Sequence, residues 1–136
     1  WYAFNKCSLN YIRMPRKLKE LGAYAFQESA LKKITVYGKV ELGQTFSSCK
    51  KLKTVVLKEG VKELGELVFC GCPKLRSVTV PKSVKSLVCI YDNIFYYRGL
   101  KYNLSKITIK TPKNSEMYRY RKFWKKQYKI KVKVIK

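Results

Sequence analysis

Five phenylalanines recur at nearly regular intervals along this chain, and this repetition constrains the fold more than any other feature. Intervals of 22, 20, 23 and 26 residues separate Phe4, Phe26, Phe46, Phe69 and Phe95. The stretch 46–64 matches the stretch 69–87 without a gap, and the last interval is long because residues 90–100 carry an insertion. Self-similarity at such a period is typical of stacked structural units, each of which needs its neighbours to bury its apolar face.

Each repeat contains one segment with the pattern of a half-buried strand. In Leu52-Lys-Thr-Val55-Val-Leu57 and its counterparts, apolar and polar residues alternate over the last few positions, which is the period of a strand with one buried face. Stacked units hold such strands side by side in a parallel sheet, about 4.8 Å apart. We therefore predict a phenylalanine ring inside each unit and five strands, which open at Leu9, Leu31, Leu52, Leu75 and Leu104.

Leu-Gly dipeptides mark bends between the segments of a repeat. They end at Gly22, Gly43 and Gly65. Glycine adopts positive φ without the steric cost that other residues meet, so we predict left-handed backbone at these three positions.

Several motifs within the repeats resemble the BspA-type leucine-rich repeat family. The resemblance covers nearly the whole chain and is carried by Tyr24-Ala25-Phe26, Cys49-x-x-Leu52, Leu64-Gly65 and Pro81-x-x-Val84. It implies an α/β solenoid, in which about five repeats form a right-handed coil with a parallel concave sheet. Members of the family are typically surface proteins of host-associated microbes that act in adhesion. The resemblance therefore also implies a protein partner and an extracellular or cell-surface location.

The C-terminal segment breaks the repeat and predicts a helix followed by a strand. The helix begins at Asn114 or Ser115, residue types that cap helix N-termini, and extends to Tyr128. Alternation of lysines with Ile130, Val132 and Val134 then predicts a strand with a lysine-bearing outer face. We predict leucine-rich repeats over 1–111 and a basic, aromatic cap over 112–136.

Two interpretations of this basic segment stay open. Residues 110–136 contain 11 Lys and Arg, one acid and five aromatic residues. Basic side chains that hold phosphates, beside rings that stack on bases, bind nucleic acid; the candidates are Tyr118, Arg119, Arg121, Lys122, Trp124 and Lys125. Alternatively, the rings cover the open end of the solenoid. The segment also resembles the Pro-Lys-Gly-x-x-x-x-Tyr…Trp terminus of the BspA-type family, which favours the cap.

The five cysteines indicate free thiols, because their number is odd. Cys7, Cys49 and Cys72 occupy one repeat position, which Ser29 fills in the second copy, and small buried residues suit such a position. A disulfide or metal ladder between Cys49 and Cys72 is the alternative. Cys70 and Cys89 have no partner in the pattern.

Catalysis and cofactor binding have little support in the composition. Histidine is absent and Asp92 is the only aspartate, which removes the imidazole base of hydrolase triads and the usual histidine ligands of a catalytic zinc. We expect no enzyme activity, no cofactor and no metal. The chain also lacks the run of about 18 apolar residues that a membrane span needs.

Outward positions of successive strands predict a binding surface on the concave sheet. The first column contains Asn10, Lys32, Lys53, Arg76 and Ser105. Beside it we expect Tyr11, Lys33, Thr54, Ser77 and Lys106, and then Arg13, Thr35, Val56, Thr79 and Thr108. The candidate binding residues are Tyr11, Arg13, Lys32, Lys33, Lys53, Arg76 and Lys106. Such a basic stripe suits an acidic protein surface or a sulfated or phosphorylated polymer, and the alternative is a solubilising face.

The charge balance leaves two functions open. With 31 Lys and Arg against 8 Asp and Glu, the net charge is +23, which attracts polyanions of every kind. The first function is adhesion or protein recognition through the concave sheet, with a protein or an acidic glycan as partner. The second is binding of nucleic acid, or of a protein associated with it. We also predict edge-to-edge dimers where Trp1 and Tyr2 do not cover the first strand.

Overall fold

Two parallel sheets form the framework of the chain. The computed structural model describes residues 2–87, Phe95 and residues 103–136. In chain order the strands are β1 Lys33–Val36, β2 Glu41–Leu42, β3 Thr54–Leu57, β4 Glu63–Leu64, β5 Ser77–Thr79, β6 Ser86–Leu87, β7 Thr108–Pro112 and β8 Lys131–Ile135. The helical elements are a 3-10 turn at Leu104–Lys106, α1 at Glu116–Arg119 and α2 at Arg121–Tyr128.

Each central repeat contributes one strand to each sheet. The larger sheet has the order β1-β3-β5-β7-β8 and the smaller sheet has the order β2-β4-β6, with every pair parallel. Side chains of the larger sheet alternate between a buried and an outer face, and one register row of the buried face contains Ile34, Val55, Val78, Ile109 and Val132. The repeat pattern therefore becomes a stack whose core lies between the two sheets.

A ladder of phenylalanine rings runs through this core. Successive rings stack nearly parallel, with centroid distances of 5.1, 5.8, 5.9 and 5.7 Å along Phe4, Phe26, Phe46, Phe69 and Phe95. All but Phe4 are buried. This regular stacking explains why phenylalanine recurs in the sequence, because a repeat without its ring would leave a cavity against both neighbouring rings.

The prediction of left-handed backbone at the Leu-Gly dipeptides is wrong. Among the described glycines, positive φ occurs at Gly38, Gly60 and Gly71 and not at Gly22, Gly43 or Gly65. One left-handed residue of each phenylalanine turn instead falls just after the dipeptide, at Tyr24, Gln44 and Leu67. Gly65 has a different reason, since a Cβ there would lie 3.0 Å from the carbonyl oxygen of Leu42 in the previous repeat.

The first repeat does not form the strand that was predicted after Leu9. Its backbone bonds to the second repeat around the phenylalanine turn, where Phe4 N–H donates to Ala25 O at 2.8 Å and Lys6 N–H donates to Gln27 O at 2.9 Å. Residues 9–15 contain no strand. β1 is therefore the first strand in the order of the larger sheet.

The last repeat also departs from prediction, because Leu104 opens the 3-10 turn and not a strand. Asn103 starts this turn, since its side chain accepts a hydrogen bond from Ser105 N–H at 2.9 Å. The strand β7 follows at Thr108. Trp1, Cys89 and the insertion at 90–100, except Phe95, lie outside the described residues.

The C-terminal segment forms helical structure and then a strand, in the predicted order, but the single predicted helix is divided at Tyr120 into α1 and α2. Ser115 caps α1 by accepting a hydrogen bond from Tyr118 N–H at 3.1 Å, and its hydroxyl lies 2.7 Å from that of the buried Thr111. Trp124 in α2 packs edge-on against Phe95 at 6.1 Å. β8 then pairs with β7 over five residues, so helix and strand together cover the end of the core.

Candidate binding surfaces

The outer face of the larger sheet carries two columns of side chains that the strand register aligns. One observed column consists of Lys33, Thr54, Ser77, Thr108 and Lys131. The other observed column consists of Thr35, Val56, Thr79, Lys110 and Lys133. We call these ten residues the outer-face surface. Hydroxyl and methyl groups occupy the centre of this surface, and its lysines lie towards the two ends of the sheet.

A ridge of cations borders this surface just before the strands begin. Lys53 N–H donates to Lys32 O at 2.8 Å and Arg76 N–H donates to Lys53 O at 2.9 Å, so Lys32, Lys53 and Arg76 stack as predicted. All three side chains are exposed. The Arg76 guanidinium donates to the carbonyls of Leu75 at 2.8 Å and Pro73 at 3.1 Å, which holds it against its own loop.

The predicted columns are out of register at the fifth repeat, which opens at Leu104. Ser77 pairs with Thr108, so Thr108 takes the place expected for Lys106, and Lys110 takes the place expected for Thr108. The reason is the 3-10 turn, which uses Leu104–Lys106 before the strand begins. Ser105 and Lys106 therefore lie outside the columns, and the ridge ends at Arg76 because the buried Ile107 follows it in register.

Tyr11 and Arg13 lie in a cleft between the first repeat and β1. The cleft has a volume of about 380 Å³, and Arg16, Thr35 and Tyr37 line its other walls. The guanidinium of Arg16 lies 5.8 Å from the centre of the Tyr37 ring. Because the first repeat adds no strand, Tyr11 and Arg13 extend the outer-face surface only as neighbours of β1.

The aromatic residues predicted to stack on bases pack inward. Trp124 is buried, and Phe123 and Tyr128 contact it at centroid distances of 5.3 and 6.1 Å. The ring of Tyr118 is covered by the Arg121 guanidinium at 4.3 Å. Arg119 forms a 3.7 Å ion pair with Glu116, and Lys122 and Lys125 are exposed. The candidates of this segment are thus split between an aromatic core and a basic surface.

Few of the positive charges are neutralised within the chain. The described residues contain two ion pairs, Arg119–Glu116 and the 3.9 Å contact between Lys6 and Glu28. Neither involves the outer-face surface or the ridge. Exposed pairs of this kind contribute little, about 0–1 kcal/mol, so the electrostatic field of the lysines is available to a partner.

The cysteine position forms a row of buried hydrogen-bond donors. Cys49 Sγ donates to Phe26 O at 3.0 Å and Cys72 Sγ donates to Phe46 O at 3.1 Å, each reaching back to the previous repeat. The hydrogen bond with Cys49 and burial hold the pKa of Cys72 well above its usual value, while the same contact lowers the pKa of Cys49. Cys7, Cys49 and Cys72 carry free thiols, so this row ties repeats together without a disulfide.

The described ranges contain neither a cluster of metal ligands nor a helix of membrane-spanning character. Across 2–87, 95 and 103–136, no three of the Cys, Asp and Glu side chains gather as ligands of a metal ion. No helix in these ranges has the length and apolar character needed to cross a bilayer.

Comparison with known proteins agrees with the repeat geometry. The BspA-type leucine-rich repeat region matches residues 1–101 in six copies. The chain belongs to the BspA-type leucine-rich repeat family. Repeats of this family are in general protein-interaction modules and are generally non-catalytic. Searches of the curated proteins and of the solved structures found no match.

Three lysines of this BspA-type chain were not among the predicted site residues. Lys110, Lys131 and Lys133 lie on the outer-face surface through the pairing of β7 with β8. The alternation of Lys129, Lys131 and Lys133 with apolar residues was visible in the sequence. Their alignment with the repeats was not visible, because it depends on how the chain returns through α1 and α2 to the sheet.

Proposed function

We propose that the chain is a non-catalytic module of a right-handed solenoid that recognises a protein, in adhesion or a related contact, through the outer-face surface together with the bordering ridge of Lys32, Lys53 and Arg76. The observation that carries the proposal is the alignment of hydroxyl and methyl groups between lysines at both ends of a parallel sheet. Solenoids of stacked repeats use the concave sheet in this way. A cell-surface location is part of the same proposal and is supported by the family resemblance alone.

The surface chemistry suits an acidic protein better than a bare polyanion. Hydroxyls such as Thr54 and Ser77 donate and accept hydrogen bonds, and Val56 offers an apolar contact at the centre. A polymer of sulfates or phosphates can use the lysines and the hydroxyls, but it has no group for the apolar contact at Val56. An acidic glycan remains the nearest alternative, because charge steers both kinds of ligand to the same face.

The test compares two triple variants that lose the same charge. In the first, Lys32, Lys53 and Arg76 become alanine; in the control, Lys62, Lys82 and Lys85 near the smaller sheet become alanine. Pull-downs from a panel of matrix proteins and sulfated glycans are then quantified across a salt series. We expect the ridge variant to weaken capture of a protein at least about tenfold, or 1.4 kcal/mol, while the control stays near the unmodified chain.

Equal losses in both variants, or no capture above a charge-matched control, would contradict the proposal. The second candidate function, nucleic-acid binding, rests on the net charge of +23. Counterion release makes such binding fall by about three to five powers of ten between 50 and 200 mM salt when six to ten phosphates are contacted. Negligible affinity for RNA or DNA at low salt would remove it.

A further inference from the structure

A groove between α2 and the start of β8 forms a second basic surface at the C-terminal end of the stack. Its volume is about 550 Å³. Five of the seven residues that line it are cations, namely Arg121, Lys122, Lys125, Lys129 and Lys131. No acidic residue lines it, and neither of the ion pairs of the described chain involves these five side chains.

Like charges gathered in this way repel one another unless a ligand supplies the opposite charge. Arg121, Lys125 and Lys129 follow at intervals of four residues along the helix and its cap, which brings them to one side. Arg121 is held in place, because its guanidinium covers the Tyr118 ring and donates to Tyr118 O at 3.2 Å. The charge is therefore concentrated at a formed groove and is not spread along a flexible tail.

The walls of the groove distinguish between kinds of anion. Most of the lining is apolar, and Val132 and the aliphatic stems of the lysines supply it. A phosphate backbone has no use for such walls, and base stacking requires a free ring. The rings of α2 do not line the groove, because Trp124 is buried and Phe123 and Tyr128 pack against it.

The shape also favours an extended occupant. β8 is the last strand in the order of the larger sheet, so β7 covers one of its edges and no described strand covers the other. Lys131 and Val132, at the start of β8, line the groove. An extended segment that continues from the groove to this edge would meet the backbone groups of an open strand, and pairing of that kind is a common mode of peptide recognition.

We propose that the groove between α2 and β8 binds an extended acidic segment of a protein, in which apolar side chains alternate with Asp or Glu. The carboxylates meet the five cations, and the apolar side chains contact Val132 and the lysine stems. This site goes beyond the proposed function, since the outer-face surface contributes only Lys131 to it.

The test measures anisotropy of a fluorescent short peptide that alternates Glu and Leu. A Lys122→Gln, Lys125→Gln variant is compared with a Lys62→Gln, Lys85→Gln control, which loses the same charge near the smaller sheet. We expect the groove variant to bind about tenfold more weakly, while the control changes by less than about twofold. An all-Glu peptide of equal charge should bind the unmodified chain less tightly, because it lacks the apolar contacts.

Lys129 offers a variant in which stability and binding move in opposite directions. It ends α2 with φ of 59°, in the left-handed region, where glycine is the favoured residue. Lys129→Gly should therefore raise the melting temperature and still weaken the Glu-Leu peptide severalfold. A role in folding alone predicts no loss of binding from a variant that melts higher.

Three outcomes would overturn the groove proposal. They are equal losses in the groove and control variants, equal binding of the all-Glu peptide, and tighter groove-dependent binding of a single-stranded oligonucleotide of the same charge. The Lys32, Lys53 and Arg76 triple variant separates the two proposals. It should leave peptide binding in the groove intact even where it abolishes capture by the outer-face surface.

Discussion

The two ends of the phenylalanine ladder are built differently. At the C-terminal end, Trp124 is 3% exposed and packs edge-on against Phe95, and β8 adds five paired residues to the sheet. At the N-terminal end, Phe4 stacks on Phe26 at 5.1 Å but stays 37% exposed, and Tyr11 is 64% exposed. Within the described residues, the ladder thus meets the buried ring of Trp124 at one end and has a partly exposed ring, Phe4, at the other.

The difference shows how a repeat obtains its stability. In stacked repeats each unit is stabilised mainly by its neighbours, so a terminal unit needs a different sequence to cover its outer side. The segment 112–136 has such a sequence, with a helix that carries large rings inward and a strand whose lysines face outward. The first repeat keeps the repeat pattern, and its apolar residues remain exposed.

The largest expected effect on stability comes from removing one aromatic ring at each end of the phenylalanine ladder. Trp124→Ala removes a buried ring and should destabilise the fold by about 3–5 kcal/mol. Phe4→Ala removes a ring that is already half open, and should cost about 1 kcal/mol from lost stacking. Urea denaturation followed by circular dichroism measures both.

The matching control is Trp124→Phe, which keeps a ring in place. It also removes the indole N–H, which is buried without an acceptor among the described residues. Part of the stability lost with the smaller ring is therefore regained. Similar losses for Trp124→Ala and Phe4→Ala would contradict the contrast between a plugged and an open end.

The next effect concerns the attachment of the first repeat. Gly38 has φ of 93°, and a Cβ there would lie 3.0 Å from Leu18 C and closer still to Leu18 O. Gly38→Ala should cost about 2 kcal/mol and should loosen residues 2–21 in particular, because the clash falls on that repeat. Hydrogen exchange of these residues, compared with β5 and β7, measures the local loss.

Gly43→Ala is the control for this substitution. No heavy atom lies within 4 Å of its Cβ position, and its φ is not positive. The change should therefore leave stability almost unaltered or raise it by about 0.4–1 kcal/mol. Uniform loss of protection over the whole stack in Gly38→Ala would mean that the first repeat is not a separate weak unit.

The smallest effect is self-association through the open end. Among the described residues, four of the five exposed large hydrophobics lie in the first repeat, namely Tyr2, Phe4, Leu9 and Tyr11. We expect edge-to-edge dimers that strengthen with salt, since screening reduces repulsion between chains of charge +23. Leu9→Lys should weaken the dimer about fivefold, or 1 kcal/mol. Light scattering that detects a monomer at high concentration in every salt would refute this.

The repeats were predictable because they depend on local pattern. Ile34, Val36, Val55 and Leu57 alternate with outer residues in the sequence, and stacking then aligns Lys32 with Lys53 without further information. The position of Trp124 at the covered end of the core was also predictable, since aromatic residues at helical spacing favour a cap over the end of a solenoid.

The remaining features depend on backbone geometry that the pattern does not encode. Asn103 and Ser105 form a 3-10 turn, which moves Thr108 into the place expected for Lys106. The left-handed positions are set by the phenylalanine turn and fall on Tyr24 and Gln44, where glycine was expected nearby. The groove between α2 and β8 is formed by residues that are close together in the sequence. Its shape was not predictable, because it depends on how the backbone turns from the end of α2 into β8.

Native-state hydrogen exchange of the unmodified chain tests the central contrast most directly, because it reads every amide of both ends at once. We predict that β7, α2 and β8 exchange as slowly as β3 and β5, while residues 2–16 exchange much faster. If β8 exchanges like an unfolded tail, or the first repeat is as protected as β3, the C-terminal segment does not close the stack and the account is wrong.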